Sequence, residues 1–188
     1  MKLIGERLII RDFKFSDASD LYLFGSNPVI GFNAGWQPYP SLDIAKNVLY
    51  SHMINKETFC ICLKDTKEFI GTISLYANTF RNNVNARNLG FSIKQEAWGN
   101  EYALEAGRLM LDYAFNKLGV DIVGCGHFTY NLRSERVINK LGFQYEGLFR
   151  KYKKLYNGEV VDAKWYSMTK DEYERMMENE GNENKIRP

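Results

Sequence analysis

Cysteine, proline and histidine are scarce in this chain, and the first and last of these scarcities each close off a class of function. Only Cys60, Cys62 and Cys125 are present among 188 residues, and all three lie in apolar, strand-like runs. They read as buried free thiols in a reducing compartment, not as a disulfide framework. Cys60 and Cys62 stand two apart. The two histidines, His52 and His127, are at no ligand spacing to them, so no metal is expected. Residues 1–7 lack the apolar core of a secretory signal, and no apolar run approaches the ~18 residues of a membrane span. A cytoplasmic protein is therefore expected. Neither charge sign dominates: Lys and Arg total 25, Asp and Glu 23, for a net charge of +2. That balance argues against nucleic acid or an anionic membrane as a partner. A nucleophilic triad is also missing, because no serine, histidine and aspartate set is legible.

What is present is ordinary globular material with a surplus of rings. Hydrophobic residues make up 45% of the chain, with 12 Tyr and 12 Phe, which suits a sheet and an aromatic cleft. The most informative stretch is Leu89 to Ala106. Leu89, Phe91 and Ile93 alternate with Gly90, Ser92 and Lys94, as in a strand. A turn containing Gly99 follows. Ala103, Ala106, Met110, Tyr113 and Ala114 then fall at helical spacing. A strand that turns into a helix N-terminus offers backbone N–H groups to an anion, phosphate above all.

The rest of the chain reads as alternating elements. Residues 7–11 form a strand, 18–23 a short helix, and 25–40 a Gly- and Pro-rich stretch that is mostly irregular. Ser41 caps a second helix. Residues 58–63 and 69–76 form an antiparallel hairpin, and the long helix runs from about 102 to 118. Residues 121–129 are a strand and 131–141 a helix. Residues 143–149 and 160–168 are two strands joined by a turn at Tyr156-Asn157-Gly158-Glu159. Residues 171–177 add a turn or two of helix, and 178–188 are polar and frayed. The expected fold class is mixed α/β (α+β). It has a single central twisted mixed sheet, mostly antiparallel, of about seven strands flanked by helices. One domain covers residues 1–170, with 171–188 as a C-terminal helix and tail.

Two motifs give this order a family likeness. Trp98-Gly99-Asn100-Glu101-Tyr102-Ala103-Leu104-Glu105-Ala106 is similar to Trp-Gly-x-Gly-Tyr-Ala-x-Glu-Ala. Asn131-Leu132-Arg133-Ser134, followed after five residues by Lys140-Leu141-Gly142-Phe143, is similar to Asn-x-x-Ser-x5-Lys-Leu-Gly-Phe. Both resemble the GCN5-related N-acetyltransferase (GNAT) family, and within it the RimJ/RimL-type ribosomal-protein N-terminal acetyltransferase branch. The resemblance spans about residues 6–169. It implies the GNAT fold and acetyl-coenzyme A as co-substrate, with no metal. The amine acceptor would be a protein N-terminus or a small molecule such as a polyamine, and a homodimer would be in keeping with similar proteins.

The same resemblance assigns residues. Phe91, Ser92 and Ile93 would meet the pantetheine arm through backbone groups. Gln95, Trp98, Gly99, Asn100, Glu101, Tyr102 and Ala103 would surround the pyrophosphate, with Asn131, Ser134 and Lys140 completing the coenzyme site. Gly99 suits this because a missing Cβ lets the backbone approach phosphate. Glu101 departs from the pattern, putting an acid where the branch has glycine, so weaker coenzyme binding is expected. Many members carry an acidic tyrosine where this chain has Ile138. Ser134 takes its place as proton donor to the leaving sulfur, with helix capping as its plainer role. Asp162 matches the acid of the last hairpin and is the candidate base, with a structural hydrogen bond as its plainer role. The acceptor would meet Trp36, Tyr39, Tyr76, Tyr145 and Tyr166. A non-catalytic acyl-coenzyme A-binding module is the alternative that Glu101 and Ile138 leave open.

Overall fold

Alternating apolar residues pair into strands, and the strands make one sheet. In the computed structural model, which describes residues 1–186, the strands are Lys2–Ile4 (β1), Leu8–Arg11 (β2), Thr58–Leu63 (β3), Phe69–Ala77 (β4), Ala86–Ile93 (β5), Ile122–Phe128 (β6), Gln144–Lys154 (β7) and Val160–Thr169 (β8). They form an eight-stranded sheet in the order β1-β2-β3-β4-β5-β6-β8-β7. The strand beyond expectation is β1, which folds back over Gly5 so that Ile4 pairs with Ile9. All neighbours are antiparallel except β5 and β6.

The helices are Ala18–Gly25 (α1), Pro28–Ala34 (α2), Leu42–Asn55 (α3), Tyr102–Asp112 (α4), Leu132–Lys140 (α5) and Lys170–Ile186 (α6). They cover both faces of the sheet. On one face Leu8, Ile61, Ile73, Leu89 and Val123 pack against Met110 and Leu111 of α4 and Ile138 of α5. On the other, Cys60, Cys62 and Phe69 pack against Leu21 and Phe24 of α1, Ile30 of α2 and Leu49 of α3. Each such fully buried side chain contributes about 1.5–3 kcal/mol of burial free energy.

Three elements differ from the sequence expectation. Stretch 25–40 contains α2, because its breakers stand at helix boundaries. The Asn27 side chain accepts from the Val29 amide at 2.9 Å, Pro28 fills the first helical position, and Gly35 ends the helix at φ 79°. Strand β7 reaches Lys154, well past 149, across a register shift between Phe149 and Lys153. Helix α6 continues to Ile186, so most of the expected tail is helical. Residues 187–188 lie outside the described residues.

The parallel pair positions the site. β5 and β6 pair from Ala86 opposite Ile122 to Leu89 opposite Cys125. Pairing stops there, although the strands continue to Ile93 and Phe128. Beyond Leu89 the two strands part and leave a gap in the middle of the sheet.

Candidate active site

The gap opens into a cleft of about 670 Å³. One end lies where α4 and α5 begin. Helix α4 has no side-chain cap, so its first N–H groups have no such partner. Gly99 precedes it at φ 84°, and a Cβ there would meet nothing within 4 Å. Arg133, Arg136 and Lys140 of α5 line the same end. The Arg133 guanidinium lies 4.2 Å from the centre of the Trp98 ring, whose indole N–H donates to the Ile93 carbonyl at 2.9 Å. An uncapped helix start, an open glycine and three cations form a site for a polyanion.

Glu101 sits within this end in the left-handed conformation, φ 60° and ψ 15°. A glycine would adopt that backbone freely. A glutamate bears about 1 kcal/mol of strain. Its exposed carboxylate accepts a hydrogen bond from the Lys140 ammonium. That contact, together with the lysine charge, holds the carboxyl below its usual range. The acid is therefore ionised and neutralised by the lysine expected to serve the coenzyme.

At the throat of the cleft are Phe91, Ser92, Asn131 and Ser134. Asn131 is the N-cap of α5: its Oδ1 accepts from the Ser134 amide at 3.2 Å. Its Nδ2 donates to the Asn33 carbonyl at 3.3 Å. Asn131 thus performs the capping, and the Ser134 hydroxyl makes no hydrogen bond to the described residues. Beside it, the Tyr130 hydroxyl donates to the Phe32 carbonyl at 2.8 Å. Together these bonds pin the end of α2 over the throat. Ile138 is fully buried in the core.

The other end is aromatic. Trp36, Tyr76, Phe128, Tyr152 and Trp165 line it, with Thr72 and Ser74 beside them. Gly90 and Gly126 make part of its floor; a Cβ at Gly126 would lie 2.2 Å from the Trp165 ring. Burial pushes the phenols of Tyr76 and Tyr152 up, so both stay protonated.

Several residues expected at the site stand elsewhere. Asp162 does not line the cleft. Its Oδ1 accepts from the Lys151 amide at 2.7 Å, bracing the irregular part of β7 where Lys151 has φ 51°. Tyr166 points to the opposite face of β8 from Trp165. It is buried against the His127 ring and donates to Glu135 Oε1 at 3.2 Å. Tyr145 is 57% exposed on the outermost strand. Tyr39 lies behind Trp36, its ring over Gly25. Gln95 and Asn100 are also absent from the lining; the Asn100 side chain donates to the Ala97 and Trp98 carbonyls. The backbone of β6 reaches the cleft at His127, but its imidazole is 1% exposed. Burial holds it below its usual value, a core histidine kept neutral. Tyr152, Trp165, Arg133 and Arg136 were not singled out from sequence. Alternation of Val161, Ala163 and Trp165 with Asp162 and Lys164 is the available signal for Trp165, since a one-residue error in a strand exchanges faces.

A family model described as an acetyltransferase (GNAT) domain matches residues 7–144. The chain belongs to the GNAT acetyltransferase family. As a member it is an acyltransferase, and its mixed sheet with flanking helices is the GNAT fold. It is 31% identical over 171 residues to an uncharacterized N-acetyltransferase, YoaA, of Bacillus subtilis (strain 168), covering 88% of this chain and 94% of that one. A GNAT-family acetyltransferase structure from Bacillus anthracis superposes with a TM-score of 0.82 at 22% identity, covering 91% of this chain and 99% of the other. Spermidine N-acetyltransferase from Vibrio cholerae, solved with coenzyme A and spermine, superposes with a TM-score of 0.76 at 20% identity, covering 90% and 99%. Among the described residues no cluster of His, Cys, Asp or Glu could hold a metal, and no helix is long and apolar enough to cross a membrane.

Proposed function

We propose that this GNAT protein transfers an acetyl group from acetyl-coenzyme A directly to a primary amine. The observation that carries the reading is the parting of β5 from β6 beside the uncapped start of α4. The residues present fit the coenzyme. Phe91, Ser92 and Ile93 would meet the pantetheine arm along the free edge of β5. The amides from Gly99 to Ala103, with Arg133, Arg136 and Lys140, would hold the phosphates. Acetyl-coenzyme A supplies the activated thioester when bound.

The chain's own part is positioning and proton handling. Ser134 places an uncommitted hydroxyl at the throat, where it can give a proton to the departing thiolate. Unpaired β5 amides can donate to the developing oxyanion. Asp162 is engaged with Lys151, so deprotonation of the amine falls to water and to the surroundings. Aromatic walls without an acid disfavour the ammonium form. The likeness to the RimJ/RimL-type branch supports a peptide α-amino acceptor, and a small-molecule amine fits the same chemistry. The setting is cytoplasmic, where Cys60, Cys62 and Cys125 stay reduced.

The test is calorimetry with acetyl-coenzyme A, followed by thiol release across a panel of amines. Binding with amine-dependent thiol release is the expected result. Binding with no release for any amine would favour the second reading, a coenzyme-binding module without turnover, for which the Glu101–Lys140 pair speaks.

A further inference from the structure

Charge is unevenly distributed along the cleft, and this bears on what the acceptor can be. Among the described residues lining it, Glu101 is the only acid, and Lys140 neutralises it at the coenzyme end. The aromatic end holds no carboxylate among those residues. Its one charged side chain is Lys153, which reaches across from β7 to the end of α2: a Cβ on Gly35 would lie 3.2 Å from the Lys153 ammonium and 2.7 Å from the Phe128 ring. Lys153 forms no ion pair with the described residues.

The indole N–H of Trp165 is buried without a partner, but it lies beside Gly124 and the Asn88 side chain, which do not line the cleft. The other polar groups at this end are hydroxyls of Thr72, Ser74, Tyr76 and Tyr152, which donate or accept, so Lys153 alone sets the charge there among the described residues. A ligand with a second ammonium would meet repulsion there and find no acid to offset it. Five aromatic side chains match a flat or apolar body.

We propose that the acceptor is a primary amine on an aromatic or apolar body that carries an anionic oxygen and no second positive charge, with Lys153 as the residue that reads this charge. The proposal rests on the N-acetyltransferase reading above. In the reaction the ammonium loses one proton to water. The neutral amine then forms the C–N bond, the C–S bond breaks, and the second nitrogen proton passes by way of the Ser134 hydroxyl to the thiolate, which leaves as the coenzyme thiol.

The experiment uses three monoamines of graded charge, phenylalanine, phenylalaninamide and phenethylamine, against the dication cadaverine and the trication spermidine. Binding to the coenzyme A-loaded protein is followed by tryptophan fluorescence, and thiol release is followed with acetyl-coenzyme A. Phenylalanine is expected to exceed cadaverine by about tenfold or more in both readouts. Lys153→Glu should shrink or invert that ratio by at least about tenfold, and Lys153→Met should fall between, with melting temperatures close to the parent. Cadaverine or spermidine binding as well as phenylalanine would overturn the proposal. So would a ratio that neither variant changes, or no binding by any monoamine. Graded binding without thiol release would instead fail the acetyltransferase reading and leave the charge selection standing.

Discussion

At the end of the cleft proposed for the coenzyme, recognition would fall to the backbone. The free edge of β5, the open turn at Gly99 and the uncapped amides of α4 would do most of the holding, and Arg133, Arg136 and Lys140 add charge. At the acceptor end it falls to side chains contributed by separate elements: Trp36 after α2, Tyr76 from β4, Phe128 from β6, Tyr152 from β7 and Trp165 from β8. A backbone site constrains neighbouring residues, because one turn must have one shape. A side-chain site constrains residues far apart in the chain, and each of them can be exchanged separately. The first can stay fixed across a family while the second varies with the substrate.

The contrast can be broken most severely at the throat, where the two ends meet. Ser134→Ala should lower kcat by about a hundredfold or more if the hydroxyl protonates the sulfur, with acetyl-coenzyme A affinity nearly unchanged. Rapid-quench kinetics and calorimetry separate the two effects. A collapse of affinity with little loss of kcat would move Ser134 into the coenzyme end. At the acceptor end, burial shifts the phenols of Tyr76 and Tyr152 upward, and His127 is a buried core histidine. Neither phenol deprotonates near neutrality. The rate should therefore climb about tenfold per pH unit until it levels at the acceptor's own value, near 8 for an α-amine or 10 for an alkyl amine. A plateau that stays at one pH for acceptors of different basicity would reveal a protein base.

Smaller effects sharpen the coenzyme end. Glu101→Gly relieves the left-handed strain and frees Lys140, and should tighten acetyl-coenzyme A by about threefold to tenfold, more at low salt. Glu101→Gln keeps the strain and removes the charge, so calorimetry on the pair divides the two causes. An unchanged affinity in both would remove Glu101 from coenzyme binding. Asp162→Ala should cost about 0.5–1.5 kcal/mol of stability, because the exposed Lys151 amide exchanges the carboxylate for water, while kcat stays within about twofold. A large kcat loss with an intact melting curve would restore Asp162 as the base.

What could be read in the sequence follows the same division. Gly99 and the run from Trp98 to Ala106 announced the helix start, because backbone geometry dictates those residues locally. The start of α5 near 131 is legible for the same reason, although the capping expected of Ser134 falls to Asn131. Helix α2 was hidden because Pro28 and Gly35 act at its two boundaries, and a composition count takes both for breakers. Tyr166 and Trp165 are equally aromatic and adjacent, and one step along β8 exchanges the faces, so only the register shows that Trp165 and not Tyr166 meets the cleft. Tyr152 lies within the register shift of β7 between Phe149 and Lys153, which no local pattern signals.

The bonds from Tyr130 and Asn131 to the end of α2 also have a history in time. Each spans 98 residues of chain. At about 5–20 residues per second on the ribosome, α2 emerges roughly 5–20 s before its fasteners exist. The roof of the cleft is made early and anchored late, so a nascent chain halted before residue 130 carries α2 and Trp36 without the clasp that holds them, and without Tyr152 and Trp165 of the facing wall.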